Sequence, residues 1–183
     1  GLLSSYSTAV NKDKDRTENI RLAAMRIDNY ILAPGQVFSF NDVVGPRSAE
    51  NGYKETPVYW RDEIRTGLGG GVCQLSTTLY NTVLLANLDI VERHPHSLTV
   101  DYVPLGRDAA VSYGEVDFRF RNSTSSHIML KAQVADGKVS IKMFGSPAEG
   151  QKVAIKATVL KTIDFETETI EDPSVPKGQT QVR

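Results

Sequence analysis

The stretch Gly69-Gly70-Gly71-Val72-Cys73-Gln74-Leu75-Ser76-Thr77-Thr78-Leu79-Tyr80 (GGGVCQLSTTLY) sets the only cysteine of the chain after three glycines and at the start of a helical pattern. Val72, Leu75, Leu79, Val83 and Ala86 fall on one stripe, which predicts a helix from Cys73 to about Asn87. Four strands are expected after it: 97–103 (SLTVDYV), 110–122, 127–135 (HIMLKAQVA) and 138–145 (KVSIKMFG). The last two join at Asp136-Gly137, the strongest hairpin signal in the chain. A helix followed by hairpin-linked strands argues for α+β with an antiparallel sheet rather than a βαβ winding.

Upstream, residues 13–33 read as an earlier helix. Ile20, Ala23, Ala24, Ile27 and Ile31 recur at helical spacing, acidic residues sit near the start, and Pro34-Gly35 marks the end. QVFSF (36–40) reads as a short strand, with turns at Asn41-Asp42 and Gly45-Pro46. Residues 47–71 read as a loop-rich arm with a strand near 57–60. The expected architecture is an antiparallel sheet against two helices, with Cys73 at the N-terminus of the second in a papain-like arrangement. Composition shifts after residues 146–150. A catalytic domain is therefore expected over 1–148, and a truncated all-β module, too short to bury its own core, over 149–183.

The 183 residues are 40% hydrophobic and 23% charged with net charge −1, and bases are interspersed with acids. That excludes the footprint of a nucleic-acid or anionic-membrane binder. One cysteine makes no internal disulfide, and no apolar run reaches the ~18 residues of a membrane span. The chain opens at Gly1 without a methionine. A processed piece of a longer protein, with its targeting segment upstream, is expected.

A thiolate is stabilised at a helix N-terminus, and glycines open backbone conformations that can aim N–H groups at an oxyanion. Cys73 is therefore the candidate nucleophile, with Gly70, Gly71 and Gln74 as oxyanion or substrate contacts. The competing reading is a buried structural cysteine beside a turn. A nucleophilic thiol needs a base, and the chain offers His94, His96 and His127. His96 heads the strand after the cysteine helix and is preferred. If the following turn centres between Gly106 and Arg107, His96 lies opposite Asp117, which would orient its ring. A register slip would cancel that pairing. Asp108 is ranked second and Asp101 third. His94 and His96 also admit a zinc reading with Cys73, but no further ligand has familiar spacing, so no metal or other cofactor is expected.

Three stretches, 34–53 (PGQVFSFNDVVGPRSAENGY), 69–97 (GGGVCQLSTTLYNTVLLANLDIVERHPHS) and 104–122 (PLGRDAAVSYGEVDFRFRN), together resemble the VanW family. The match runs from about Leu2 to Gly145. The tail resembles the first half of a G-five module. The resemblance implies an extracytoplasmic, cell-wall-facing protein. It maps the family's motif cysteine onto Cys73, its Arg-x-x-His-Ser element onto Arg93 and His96, and its Gly-x-Asp-Ala element onto Gly106, Asp108 and Ala109. Arg93 joins the substrate contacts on that ground. Members with the cysteine motif are linked to L,D-transpeptidation of peptidoglycan, although the His-Gly-Cys signature of the better-known L,D-transpeptidases is absent here. The expected function is a cysteine L,D-transpeptidase forming 3-3 crosslinks between stem peptides. The alternatives are a carboxypeptidase using the same site and a non-catalytic wall-binding module. A monomer anchored to the membrane by a segment outside this chain is expected.

Overall fold

Alternation in 128–144 does what the sequence predicts. Ile128 and Leu130, then Val139, Ile141 and Met143, point one way and are buried. The computed structural model describes residues 1–60, 63–146 and 152–162, with isolated positions 173, 176 and 179. Within them, β8 (Ile128–Ala135) and β9 (Lys138–Phe144) form an antiparallel hairpin. Asp136 and Gly137 take φ of 52° and 69° at its turn, the left-handed pair a tight two-residue connection needs. β1 (Leu2–Ala9) pairs with the outer side of β9, and β2 (Ile31–Leu32) with β8, giving the order β1-β9-β8-β2.

The apolar face of this sheet packs on α1 (Lys14–Ile27) and α3 (Val72–Leu85). Ile20, Ala23, Ala24 and Ile27 from α1 meet Leu75, Leu79 and Val83 from α3 in one core. A second sheet, β3-β7-β6, joins β3 (Val37–Ser39), β7 (Arg119–Arg121) and β6 (Asp89–Glu92). Its aromatics extend the core. Phe38 stacks on Phe120 at 5.0 Å, Phe120 on Phe118 at 5.9 Å, and Tyr80 of α3 meets Phe118 edge-on at 5.5 Å. A short α2 (Phe40–Val44) follows β3, capped by the Ser39 hydroxyl, which accepts from the Asp42 N–H. β4 (Glu55–Trp60) and β5 (Glu63–Leu68) form a separate hairpin.

The expected single sheet on two helices is therefore corrected, among the described residues, to three antiparallel sheets and three helices, with Cys73 on the third helix. α1 also stops well before Pro34. Asn29 adopts φ of 63° and donates its N–H to the Leu130 carbonyl, so pairing with β8 pulls the chain out of the helix. The strand expected over 97–103 does not form. Residues 152–162 of the expected β module contain no strand, and the rest of that module lies outside the described residues apart from the isolated positions.

Candidate active site

Glycine opens α3 because the backbone there admits nothing larger. Gly71 is the N-cap at φ 100°. A Cβ on it would lie 2.8 Å from Arg16 Cγ and 2.9 Å from Ile20 Cγ1. A Cβ on Gly70 would lie 2.2 Å from Thr56 Oγ1 and 2.5 Å from the Pro57 carbonyl oxygen. The buried Asn19 of α1 donates to the Gly70 carbonyl at 3.1 Å and accepts from the Lys54 N–H at 2.8 Å. The sequence reading made Gly70 and Gly71 oxyanion or substrate contacts, and the structure gives them a packing role. Their space is filled by α1 and β4, and they fix where α3 begins. Gly70→Ala should lower stability by roughly 1–3 kcal/mol through overpacking, read as a fall in the denaturation midpoint at unchanged slope.

Gln74 is likewise reassigned. Its side chain is buried, donates to Thr8 Oγ1 and the Ala9 carbonyl at 3.0 and 2.7 Å, and accepts from Arg16 Nη1 at 2.7 Å. It ties α3 to β1 and α1. Its N–H donates to the Gly71 carbonyl and that of Val72 to Gly69. Between them, the Cys73 N–H has no carbonyl partner among the described residues, which leaves it as the amide at hand for an oxyanion.

The polar face of α3 builds the other half of the site. Ser76 donates to the Ala109 carbonyl at 2.6 Å, Thr77 Oγ1 accepts from the Ala109 N–H at 2.9 Å, and Asn81 exchanges two bonds with Arg107. These buried side chains hold residues 107–110 along the helix. The strip pairs with the chain at His94, whose carbonyl accepts from the Ala110 N–H at 2.8 Å. In that antiparallel register His96 stands opposite Asp108.

Asp108 Oδ2 accepts from both the backbone N–H and Nδ1 of His96, at 2.7 and 2.6 Å. Its Oδ1 accepts from Arg93 Nη2 at 3.0 Å, while Arg93 Nε donates to the Asp108 carbonyl at 2.7 Å. Arg93 also lies over the Tyr80 ring at 5.4 Å. It holds Asp108, a role that the sequence reading did not give it. Asp117 is corrected too. Its carboxylate accepts from Ser39 Oγ at 2.5 Å and from the N–H groups of Asn41 and Phe118 at 2.9 and 2.8 Å. It organises the start of α2 instead of orienting His96. His94 is exposed and meets Glu92 at 3.1 Å, while the His96 side chain is only 4% exposed. Asp101 and His127 are on the surface.

With Nδ1 held by Asp108, Nε2 is the His96 nitrogen that the carboxylate does not engage, and His96 and Cys73 are near enough to shift one another. Cys73 is partly buried, and Sγ lies 3.3 Å from the Val111 carbonyl oxygen. Burial pushes the thiol up, but its interaction with His96 outweighs it and holds Cys73 below the ordinary thiol range. The imidazole is raised despite burial by Cys73 and Asp108. Asp108 lies below the usual carboxylate range because bonds and charge from His96 overcome its burial. Tyr102, which sequence reasoning passed over, is pushed up by burial first and then by the charge of Cys73.

The arrangement suits a thiolate that attacks and an imidazolium that returns a proton. Alkylation of Cys73 by iodoacetamide should therefore reach half its plateau rate below pH ~8.5, the ordinary thiol value. His96→Ala removes the two largest lowering interactions and leaves the burial, so its half-point should move above that of the wild type. A stopped-flow pH series reads both. Identical profiles would dissolve the pair.

The family profile described as "VanW like protein" matches residues 15–144. The uncharacterized protein YoaR of Bacillus subtilis (strain 168) is 45% identical over 145 residues, 79% of this chain and 48% of that one. The vancomycin B-type resistance protein VanW of Enterococcus faecalis (strain ATCC 700802 / V583) is 28% identical over 136 residues, 72% of this chain and 50% of that one. The chain thus spans about half the length of these curated relatives. No solved structure matches it.

Proposed function

The chain belongs to the VanW family, and from that premise we propose that it is a cysteine acyltransferase of the cell wall, an L,D-transpeptidase that joins peptidoglycan stem peptides. The observation that carries the reading is the Asp108–His96 pair next to Cys73 at the start of α3, with His96 and Cys73 favouring one another's charged forms. In this reading the Cys73 thiolate attacks the carbonyl carbon of the third, diamino acid residue of a tetrapeptide donor. The oxygen takes the negative charge and meets the Cys73 N–H. Loss of one such donor commonly costs about 10²–10³ in rate. The intermediate collapses as the C–N bond to the terminal D-alanine breaks, and His96 gives its proton to the leaving amine. A side-chain amine of a second stem then attacks the thioester, His96 takes up the amine proton, and the thiolate leaves. The product is a 3-3 crosslink.

Water in place of the acceptor amine would make the same site a carboxypeptidase. The Enterococcus relative's name ties that protein to vancomycin resistance, which agrees with a role at the wall. The reading places the protein outside the cytoplasmic membrane, held there by a segment beyond this chain. Among the described residues no helix is long and apolar enough to cross a membrane. The tail, as the start of a G-five module, would add wall attachment.

Incubation of the protein with purified tetrapeptide muropeptides, followed by mass spectrometry, tests this function. A 3-3 dimer with free D-alanine is the expected result. D-alanine without dimer selects the carboxypeptidase. Neither product, together with a thiol that reacts only on unfolding, selects a wall-binding module.

A further inference from the structure

Arg47 sits beside this site with a donor that nothing satisfies. Its Nη2 is sealed from solvent and has no hydrogen-bond acceptor among the described residues. Its Nη1 is fixed, donating to Asn41 Oδ1 at 2.8 Å and the Gly45 carbonyl at 3.1 Å. The guanidinium carbon lies 5.4 Å from the Phe40 ring centroid and 5.8 Å from that of Tyr113. The base of the side chain packs on Gly69, where a Cβ would come within 2.7 Å of Arg47 Cβ. No carboxylate among the described residues forms an ion pair with it. A buried charged donor without an acceptor is costly, and its persistence asks for a reason.

One short segment links Arg47 to the thiol. Asn41, which holds Nη1, is itself held by donating to the carbonyls of Ser112 and Val116 at 3.1 and 2.9 Å. Tyr113 of that segment faces the guanidinium, and the carbonyl of its Val111 meets Cys73 Sγ. Gly69, against which Arg47 packs, lies four residues before Cys73 in the same helix entry. The guanidinium is close enough for its charge and that of the thiolate to favour one another.

We propose that Arg47 is a carboxylate anchor that determines specificity, its Nη2 receiving the C-terminal carboxylate of the residue expelled when Cys73 attacks. The inference rests on the acyl-transfer reading for what the carboxylate belongs to. A guanidinium and a carboxylate form strong charge-assisted hydrogen bonds. The carboxylate of a terminal residue is separated from the attacked carbonyl by only its own nitrogen and α-carbon. An anchor beside the thiol therefore admits a donor that ends one residue past the scissile bond and disfavours a longer or amidated one. Tyr113, 52% exposed, lies with its ring centroid 5.8 Å from the guanidinium carbon. A rotamer change of such a ring is fast and opens Nη2 to the ligand.

The test compares two reagents of nearly equal size on the full chain, iodoacetate and iodoacetamide, at about 0.15 M salt, where screening confines charge effects to roughly 8 Å. Any change in thiolate fraction affects both rates alike, so their ratio reads the anion site alone. The ratio of iodoacetate to iodoacetamide rates should fall about tenfold or more in Arg47→Gln and less in Arg47→Lys, which keeps the charge but not the fork. Acetyl-D-alanine should slow alkylation of the wild type and not of Arg47→Gln, and its carboxamide should slow neither. If Arg47→Gln does not fold, Arg47→Lys and the two protectants still decide. An unchanged ratio with no protection by acetyl-D-alanine overturns the anchor, even where crosslinking is seen. A lowered ratio in a protein that turns over no stem peptide upholds the anchor and sinks the transpeptidase.

Discussion

Cys73→Ala should abolish 3-3 dimer formation from tetrapeptide muropeptides, to below the detection of mass spectrometry, while the denaturation midpoint stays close to that of the wild type. The covalent route leaves no substitute for the thiolate, since removal of a nucleophile takes rate down by about 10⁶ in a comparable relay. The fold has little stake in the sulfur. Cys73 is partly buried, and its sulfur is hydrogen-bonded to the Val111 carbonyl oxygen. Alanine is a good helix former, and the position of α3 is set by Gly70, Gly71 and Gln74. Dimer yield at the wild-type level from this variant would refute the thioester. Loss of dimer together with a large drop in stability would instead mark Cys73 as a core residue, as the module reading requires.

The legible parts of the chain are those where burial follows a simple period. α3 and the β8–β9 hairpin carry their apolar residues at the spacing of their own geometry, and Asp136-Gly137 names the turn. β1 hides because its buried face is Ser4 and Thr8, which bond the Thr82 carbonyl and Thr78 Oγ1 of α3 instead of offering an apolar stripe. β6 hides because most of its residues are exposed. The end of α1 is decided by β8, far off in sequence.

The site divides in the same way. The placement of Cys73 is written locally, in three glycines and a helix start. The pairing of His96 is not local. The sequence argument fixed a register from one assumed turn between Gly106 and Arg107. In the structure, Ser76, Thr77 and Asn81 on the buried polar face of α3, with Arg93, pin residues 106–110. Those side chains, and not the turn, set the register. The signal was present in the sequence as a helix whose inward positions include Ser, Thr and Asn. Such groups must spend their hydrogen bonds on something, and here they spend them on the strip that carries Asp108.

Asp108→Asn is the sharpest test of that register, and Asp117→Asn is its control. The rate of dimer formation should fall by about 10²–10⁴ in Asp108→Asn, the scale seen when the acid of such a relay becomes an amide. The physical cause is a mismatch of donors. On one side Asp108 faces Arg93 Nη2, and on the other the N–H and Nδ1 of His96. An amide has one accepting oxygen. Turned towards Arg93, it sets its NH₂ against the His96 backbone N–H and drives the ring to the tautomer with the proton on Nε2, which cannot take a proton from Cys73. Turned the other way, it sets NH₂ against the guanidinium. The pH dependence of stability has a definite sign. Asp108 is below its ordinary value in the native state, so its contribution is complete above the unfolded value of about 3.9 and is lost as pH falls through the native one. The stability gap between wild type and Asp108→Asn should therefore narrow in acid. Asp117→Asn should affect stability and spare the site. It weakens the bonds to Ser39, Asn41 and Phe118 and costs on the order of 1–2 kcal/mol of stability, yet the folded fraction should alkylate at Cys73 with the wild-type pH profile. If Asp117→Asn shifts that profile and Asp108→Asn leaves it in place, the relay runs through the other carboxylate and the register drawn here is wrong.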